Sequence, residues 1–262
     1  MLRLRASVAL LSLLLLSSIA CGRDAAVVAP GRAASAAAAQ DLLEAQAAGL
    51  VEVRFIPNDS QSAQVVVRSR SDRPLTLRLP EGFAGVPVLA QFMNQQQGGA
   101  GFGAGGIGGT PQNVGGGGGG MGGMGGGMGG GVGGGPFSLP PERTRTLRVP
   151  TVCLEYGKRE PSPRIEYRMT PLAECSTDPR LQDVLTALAD GKLSQKAAQA
   201  AAWHVASGRT WDQLAAEVIQ MAGGDPDRPY FAVGDLVAAR AFVTASAERH
   251  PAEPVASEST GR

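Results

Sequence analysis

From Leu50 to Ile56 the chain alternates, with Val51, Val53 and Phe55 on one side and Glu52 and Arg54 on the other. That is the two-residue period of a strand with one buried face. Residues 64–70 and 74–79 repeat it, the second as Leu75, Leu77 and Leu79 against Thr76 and Arg78, with Ser71-Asp72-Arg73-Pro74 as the turn between them. Further strands are predicted over 86–92, 143–156 and 164–169. Short strands joined by Asn-Asp, Asp-Arg-Pro and Pro-Glu-Gly turns predict a small antiparallel β-sandwich of immunoglobulin-like type.

The period is helical at both ends of this region. Leu42, Leu43, Ala47 and Leu50 predict a short helix closed near Gly49. After Asp178 the stripe Leu181, Val184, Leu185 and Leu188 follows an N-cap and a first-turn proline and stops at Gly191. Ser194 caps a second helix that ends at Gly208. Thr210 and Gln213 form a capping box for a third helix carrying Trp211, Leu214, Ala215, Val218 and Ile219. A last helix over 233–249 presents Leu236, Val237, Ala241 and Val243. The fold class predicted is therefore α+β, a sandwich followed by a small helical module.

Composition changes the picture inside the sheet. In residues 98–135, 25 of 38 positions are glycine, and no charge occurs between Glu81 and Glu142. Glycine loses the most backbone entropy on ordering and offers no side chain in return. The segment is expected to be a flexible loop extruded from the sheet, with a coil dimension of about 34 Å.

The N-terminus reads as an export signal. Arg3 and Arg5 precede a charge-free stretch over 6–20 centred on Leu10, Leu11 and Leu13 to Leu16, which falls short of the roughly 20 apolar residues of a membrane span. Two cleavage readings compete. Ser18-Ile19-Ala20 suits an ordinary signal peptidase, whereas Ser18-Ile19-Ala20-Cys21-Gly22 resembles a bacterial lipobox with Ser18 in the usual leucine position. The second makes Cys21 the lipidation site and the membrane a partner. It also leaves an even pair, Cys153 and Cys175, as a candidate disulfide in an oxidising compartment. A buried Cys153 that acts only as a small hydrophobe is the alternative.

The organisation expected is a signal peptide over 1–20, a disordered tether over 21–37 and a short helix plus β-sandwich over 38–175 interrupted by the 98–135 insertion. A helical module over 176–250 and a disordered tail over 251–262 complete it. Net charge is +1 for the whole chain and falls to −1 without Arg3 and Arg5. Neither value favours nucleic acid as a partner.

Chemistry is sparse. The two histidines are His204, on an alanine-rich helix, and His250, at the end of the last one; both are expected to be structural or solvated. No Gly-x-Ser-x-Gly elbow, Cys-x-x-Cys pair or Gly-Lys-Ser/Thr phosphate loop is present. Met121, Met124 and Met128 in the glycine tract are soft thioethers that could meet cuprous ion. Arg143, Arg145, Arg148, Lys158 and Arg159 make a basic stretch, read as a solvated strand face or a contact for anionic lipid or cell-wall polymer. Glu155, Glu160, Glu166 and Asp183 offer carboxylates without a pattern that selects a catalytic pair.

The stretch Val149-Pro150-Thr151-Val152-Cys153-Leu154-Glu155-Tyr156-Gly157-Lys158, taken with Gln199-Ala200-Ala201-Ala202-Trp203-His204 and Trp211, resembles uncharacterised exported bacterial proteins that join an immunoglobulin-like sandwich to a small helical segment. The resemblance covers residues 40–250 apart from the glycine tract and carries no catalytic residues across. Read physically, Trp203 and Trp211 are expected to be core anchors where the two helices meet. The reading is a non-catalytic, exported cell-envelope protein, structural or surface-binding, tethered through Cys21 and facing an envelope protein or polymer, without catalytic, metal or cofactor residues. A hydrolase with a cryptic carboxylate site and copper binding by the methionines are the alternatives.

Overall fold

A computed structural model describes residues 39–88, 111–118 and 135–251. The signal, Cys21 and the three methionines of the glycine tract lie outside them.

The chain is α+β. Strand β1 (Gln40–Asp41) runs into helix α1 (Leu42–Ala47), whose first turn is capped by the Asp41 carboxylate accepting from the Leu43 N–H at 2.8 Å. Then come β2 (Val51–Pro57), β3 (Ser62–Ser69), β4 (Leu75–Arg78) and β5 (Phe83–Pro87). Strand β6 (Val114–Gly116), β7 (Phe137–Leu139), β8 (Thr144–Cys153) and β9 (Tyr167–Pro171) complete the sheet region. Six of these, in the order β2-β3-β8-β6-β5-β9, close into an antiparallel barrel, the seam being the Phe55 to Tyr167 pairing of β2 with β9. Strands β1, β4 and β7 form a separate three-stranded sheet.

The expected sandwich is thus a barrel, and the residues that decide this come from the glycine tract. Val114, Gly115 and Gly116 pair with β5 on one side and β8 on the other, so part of the 98–135 segment expected to be a flexible loop is a central strand. Its glycines are packing residues. Gly116 faces the interior, where an added methyl group would stand 2.5 Å from the Phe83 ring, while Gly115 faces outward with Leu154 and Leu185 within 2.9 Å of such a methyl. Gly85 on β5 likewise leaves room for the Phe55 ring. The interior holds Phe55 edge-on to Phe83 and Tyr167, with centroids 5.7 and 6.3 Å apart, among Val65, Val67, Val114, Leu147 and Val149.

The helical part follows as α2 (Pro179–Ala189), α3 (Gln195–Ser207), α4 (Trp211–Ala215) and α5 (Val233–Arg249). Capping at Asp178, Ser194 and Thr210 is as the sequence predicts, and Gly208 ends α3 with φ 65°. The predicted third helix is shorter. After Ala215 the chain turns into a small hairpin, β10 (Val218–Ile219) with β11 (Arg228–Pro229), which leaves Val218 44% and Ile219 43% exposed instead of on a buried stripe. Among the described residues no helix is long and apolar enough to cross a membrane.

Helix α3 is joined to the barrel by glutamines. Beyond Pro150, β8 has outrun β3, and its free edge is taken up by two side chains one helical turn apart. Gln195 Nε2 donates to the Thr151 carbonyl at 3.2 Å, and Gln199 both accepts from the Cys153 N–H and donates to its carbonyl, each at 2.9 Å. Ser207 continues the series, donating to the Leu154 carbonyl at 2.8 Å and accepting from the Tyr156 N–H at 3.0 Å. A helix thereby serves as the next strand, satisfying backbone groups that burial would otherwise leave unpaired.

Candidate functional site on the helical module

The densest gathering of side chains with binding chemistry lies where α3, α4 and the segment before α5 meet the end of β8. Trp203, 8% exposed, sits at the centre. Tyr156 meets it edge-on at 5.0 Å, Tyr230 lies tilted at 5.5 Å and Phe231 edge-on at 5.8 Å. Two cations cover the outer rings: Lys196 Nζ is 3.5 Å from the Tyr230 ring centre, and the Arg209 guanidinium is 4.0 Å from that of Tyr156. Such contacts are favourable by about 0.5–2 kcal/mol each, increasing with desolvation.

The electrostatics follow from burial. Desolvation lowers the Lys196 pKa against the opposing pull of Asp235 and Glu160. Burial pushes the Tyr230 hydroxyl up to about 12. Tyr156 donates to Glu217 Oε2 at 2.6 Å, and this hydrogen bond, more than burial, raises its pKa. Glu217 also fixes the adjoining hairpin, since its carbonyl accepts from the Tyr230 N–H at 2.8 Å. The half-buried aromatic and cationic residues therefore continue into the exposed Val218 and Ile219.

The residues singled out from the sequence fall as follows. Trp203 is a core anchor, whereas Trp211 is half-buried and stacks on His204 at 4.2 Å. His204 Nδ1 is 2.7 Å from the Arg209 carbonyl, which can only accept, so Nδ1 carries the proton. Cys153 and Cys175 are free thiols, so the candidate disulfide is not formed in this structure. Cys153 ends β8 on the barrel-interior side, opposite Val114, while Cys175 follows a short 3-10 turn after β9. Burial, with Glu160 and Asp59 adding to it, pushes the Cys153 thiol up to about 12, so it is no nucleophile near neutral pH. Cys175 is raised by burial as well.

Arg143, just before β8, and Arg145 and Arg148 on it are exposed, but the last two point to opposite sides of the strand and so make no single face; Arg145 lies over the Phe137 ring at 5.3 Å. Lys158 pairs with Glu155 at 2.5 Å, and the Arg159 carbonyl accepts from the Gln112 N–H. Glu155 also accepts from the Asn113 N–H, and Glu160 lies 3.5 Å from the Ser60 hydroxyl.

The structure makes one grouping that the sequence did not suggest. Asp183 on α2 accepts at a single oxygen, Oδ2, from Ser246 at 2.6 Å and Arg249 at 2.8 Å, and His250 Nε2 stands 3.2 Å away. Beside it is a surface hollow lined by Thr177, Asp178, Arg180 and His250. A serine, an aspartate and a histidine meet here, but not as a relay, because Ser246 is fully buried and both it and His250 address the same carboxylate oxygen. The grouping is a clasp between α2 and the end of α5. The only sequence signal for it would have been the matching of a mid-helix acid with a basic helix end. Among the described residues no group of three or more His, Cys, Asp or Glu is placed to hold a metal ion.

Comparison of the chain with family models, curated proteins and solved structures returns no match.

Proposed function

We propose that this chain is an exported, non-catalytic envelope protein, tethered through a lipidated Cys21, that binds an envelope protein or polymer with the surface of its helical module. The observation that supports it is the patch formed by Tyr156, Tyr230, Trp211, Lys196 and Arg209 with the exposed Val218 and Ile219. Tyrosine, tryptophan and arginine are the residues that dominate interface energetics, and Tyr156, Tyr230, Trp211 and Arg209 are half-buried, so part of each is accessible. Lys196 and Trp211 stand on α3 and α4, and Tyr156, Arg209 and Tyr230 lie in the segments that adjoin them.

Sedimentation of the chain from Gly22 onward with isolated cell envelopes tests the binding. Ile219→Glu and Tyr230→Ala should each reduce the bound fraction by about 10-fold, the loss of one central anchor. Undiminished binding by both variants would remove the patch from the function. Mass spectrometry of the mature N-terminus tests the tether, and an unmodified Cys21 would sink it.

A further inference from the structure

Strands β2, β3 and β8 pair side by side, and their register sets nine outward positions in three rows, Glu52–Arg68–Thr144, Arg54–Val66–Thr146 and Ile56–Gln64–Arg148. The intervening Val51, Phe55, Val65, Val67, Leu147 and Val149 are buried in the barrel, while all nine outward residues are exposed or half-buried. Arg54, Arg68 and Arg148 thus share one face although each stands on a different strand. Among the described residues none of these three side chains is in an ion pair or over an aromatic ring. The one acid in the rows, Glu52, is paired with Arg70. Across the seam to β9, Arg54 shares a surface hollow with Arg164, Arg168 and Glu166, and Arg168 also meets Glu174. Those charges cancel and leave the excess on the face in place.

We propose that this face of the barrel rests against the anionic headgroups of a membrane. Like charges crowded on one sheet face repel. Arg54 and Arg68 are diagonal neighbours about 8 Å apart by strand geometry, and a layer of negative charge laid over both relieves that repulsion. Arg148 stands about 12 Å from Arg54 and about 14 Å from Arg68 by the same geometry, so the three make a triangle and not a line. A linear polyanion follows one edge of such a triangle, whereas a leaflet meets all its corners. Val66 holds the middle of the rows and is half-buried, as is Ile56, which gives the face an apolar centre to set among the headgroups. Each arginine near an anionic leaflet strengthens association about 5-fold, and three together about 100-fold. That is too little to anchor a free chain firmly, but enough to fix which side of a tethered chain turns to the bilayer. In that use the inference rests on the lipid tether at Cys21 proposed above.

Co-sedimentation with vesicles at low ionic strength tests the face, using the chain from Gly22 onward, which retains every described element and lacks the tether. Partitioning onto equimolar phosphatidylglycerol and phosphatidylcholine should exceed that onto phosphatidylcholine alone by at least about 10-fold. It should fall by a similar factor once salt shortens the screening length from about 30 Å to about 8 Å. Arg54→Gln, Arg68→Gln and Arg148→Gln should each weaken it about 5-fold, and the triple variant should partition as if the anionic lipid were absent. Arg240→Gln removes the same charge from α5, which packs on the other helices and not on these strands, and should change partitioning by less than about 2-fold. All four positions are exposed, and circular dichroism checks that each variant is folded. Equal partitioning onto the two vesicles, a triple variant that binds like the parent, or an Arg240→Gln loss as large as those on the barrel would each overturn the proposal. So would tighter binding to soluble polyphosphate than to vesicles at equal phosphate, which would assign the face to a polymer. Because the assay omits Cys21 and the envelope-binding patch uses other residues, failure here leaves the tether and the patch standing, and failure of either of those leaves the vesicle result standing.

Discussion

Asp183 shows how much can depend on one carboxylate. It holds Ser246 and Arg249 of α5 against α2, and its own environment works in both directions. Burial alone would raise its pKa, but the hydrogen bonds from Ser246 and Arg249 and the charges of Arg249 and His250 outweigh burial and leave it below the ordinary value. A carboxyl depressed in the folded state contributes stability that is present above its unfolded pKa of about 3.9 and disappears as pH falls through the folded value. Asp183→Ala should cost about 2–3 kcal/mol at neutral pH, since it strands a buried hydroxyl and removes a charged partner. Urea denaturation at pH 7 and pH 3 reads the prediction: the gap between parent and variant should narrow at the lower pH, and a constant gap would remove the carboxylate from the account. Cys153 belongs to the same scale. A thiol raised to about 12 should resist alkylation in the native protein at pH 8 while reacting at once in denaturant.

At the scale of elements, the link between α3 and β8 is a side-chain substitute for strand pairing. Gln199 is 1% exposed and occupies both backbone groups of Cys153. Gln199→Ala leaves a buried N–H and a buried carbonyl unpaired, which should destabilise by about 2–5 kcal/mol, whereas the exposed Gln213→Ala disturbs only a helix cap and should cost about 1 kcal/mol. Equal effects in chemical denaturation would mean that the glutamine bridge is not what holds the helix to the barrel. The close fit of β5 with β2 allows a second test. Gly85→Ala drives a methyl into the Phe55 ring and should cost about 1–3 kcal/mol as overpacking. Combining it with Phe55→Leu, which vacates the ring edge, should recover part of that loss, and strict additivity would contradict the packing described.

At the scale of the whole molecule, closure depends on residues that carry almost no side chain. Strand β6 lies between β5 and β8, so the glycine tract cannot be treated as a removable loop. Deleting residues 98–135 should abolish the cooperative thermal transition, because β5 and β8 lose their common neighbour and the barrel interior opens. Deleting residues 99–108, which lie outside β6, should leave a cooperative transition. A cooperative melt after the larger deletion would show that the barrel closes without β6.

The elements with strong periodicity were legible from the sequence, because their patterns are local. The alternation of β2, β3 and β8, the capped helices α2 and α3, and the last helix α5 appear in the structure within a few residues of where polar alternation, Asp178, Ser194, Gly208 and the apolar spacing of 233–249 place them. Residues 218–219 were misplaced on a helix since their apolar spacing suited one, and only the pairing with Arg228 and Pro229 makes them a strand. The candidate site was half legible: Trp203 and Trp211 stand out as large residues in a chain that is only 5% aromatic. Of their partners, Lys196 and Arg209 lie on α3 or just beyond its end, whereas Tyr156 and Tyr230 are brought to them by the fold from two separate segments. What the sequence determined by itself, then, is α+β composition, most element positions and the caps, each fixed by interactions within a few residues. Only the tertiary structure decided barrel over sandwich, the burial of Gly115 and Gly116, the free Cys153 and Cys175, and the Asp183 clasp. The reason is physical: a glycine has no local preference for a strand, and becomes one only where Phe83 and Leu185 need the space its missing side chain leaves.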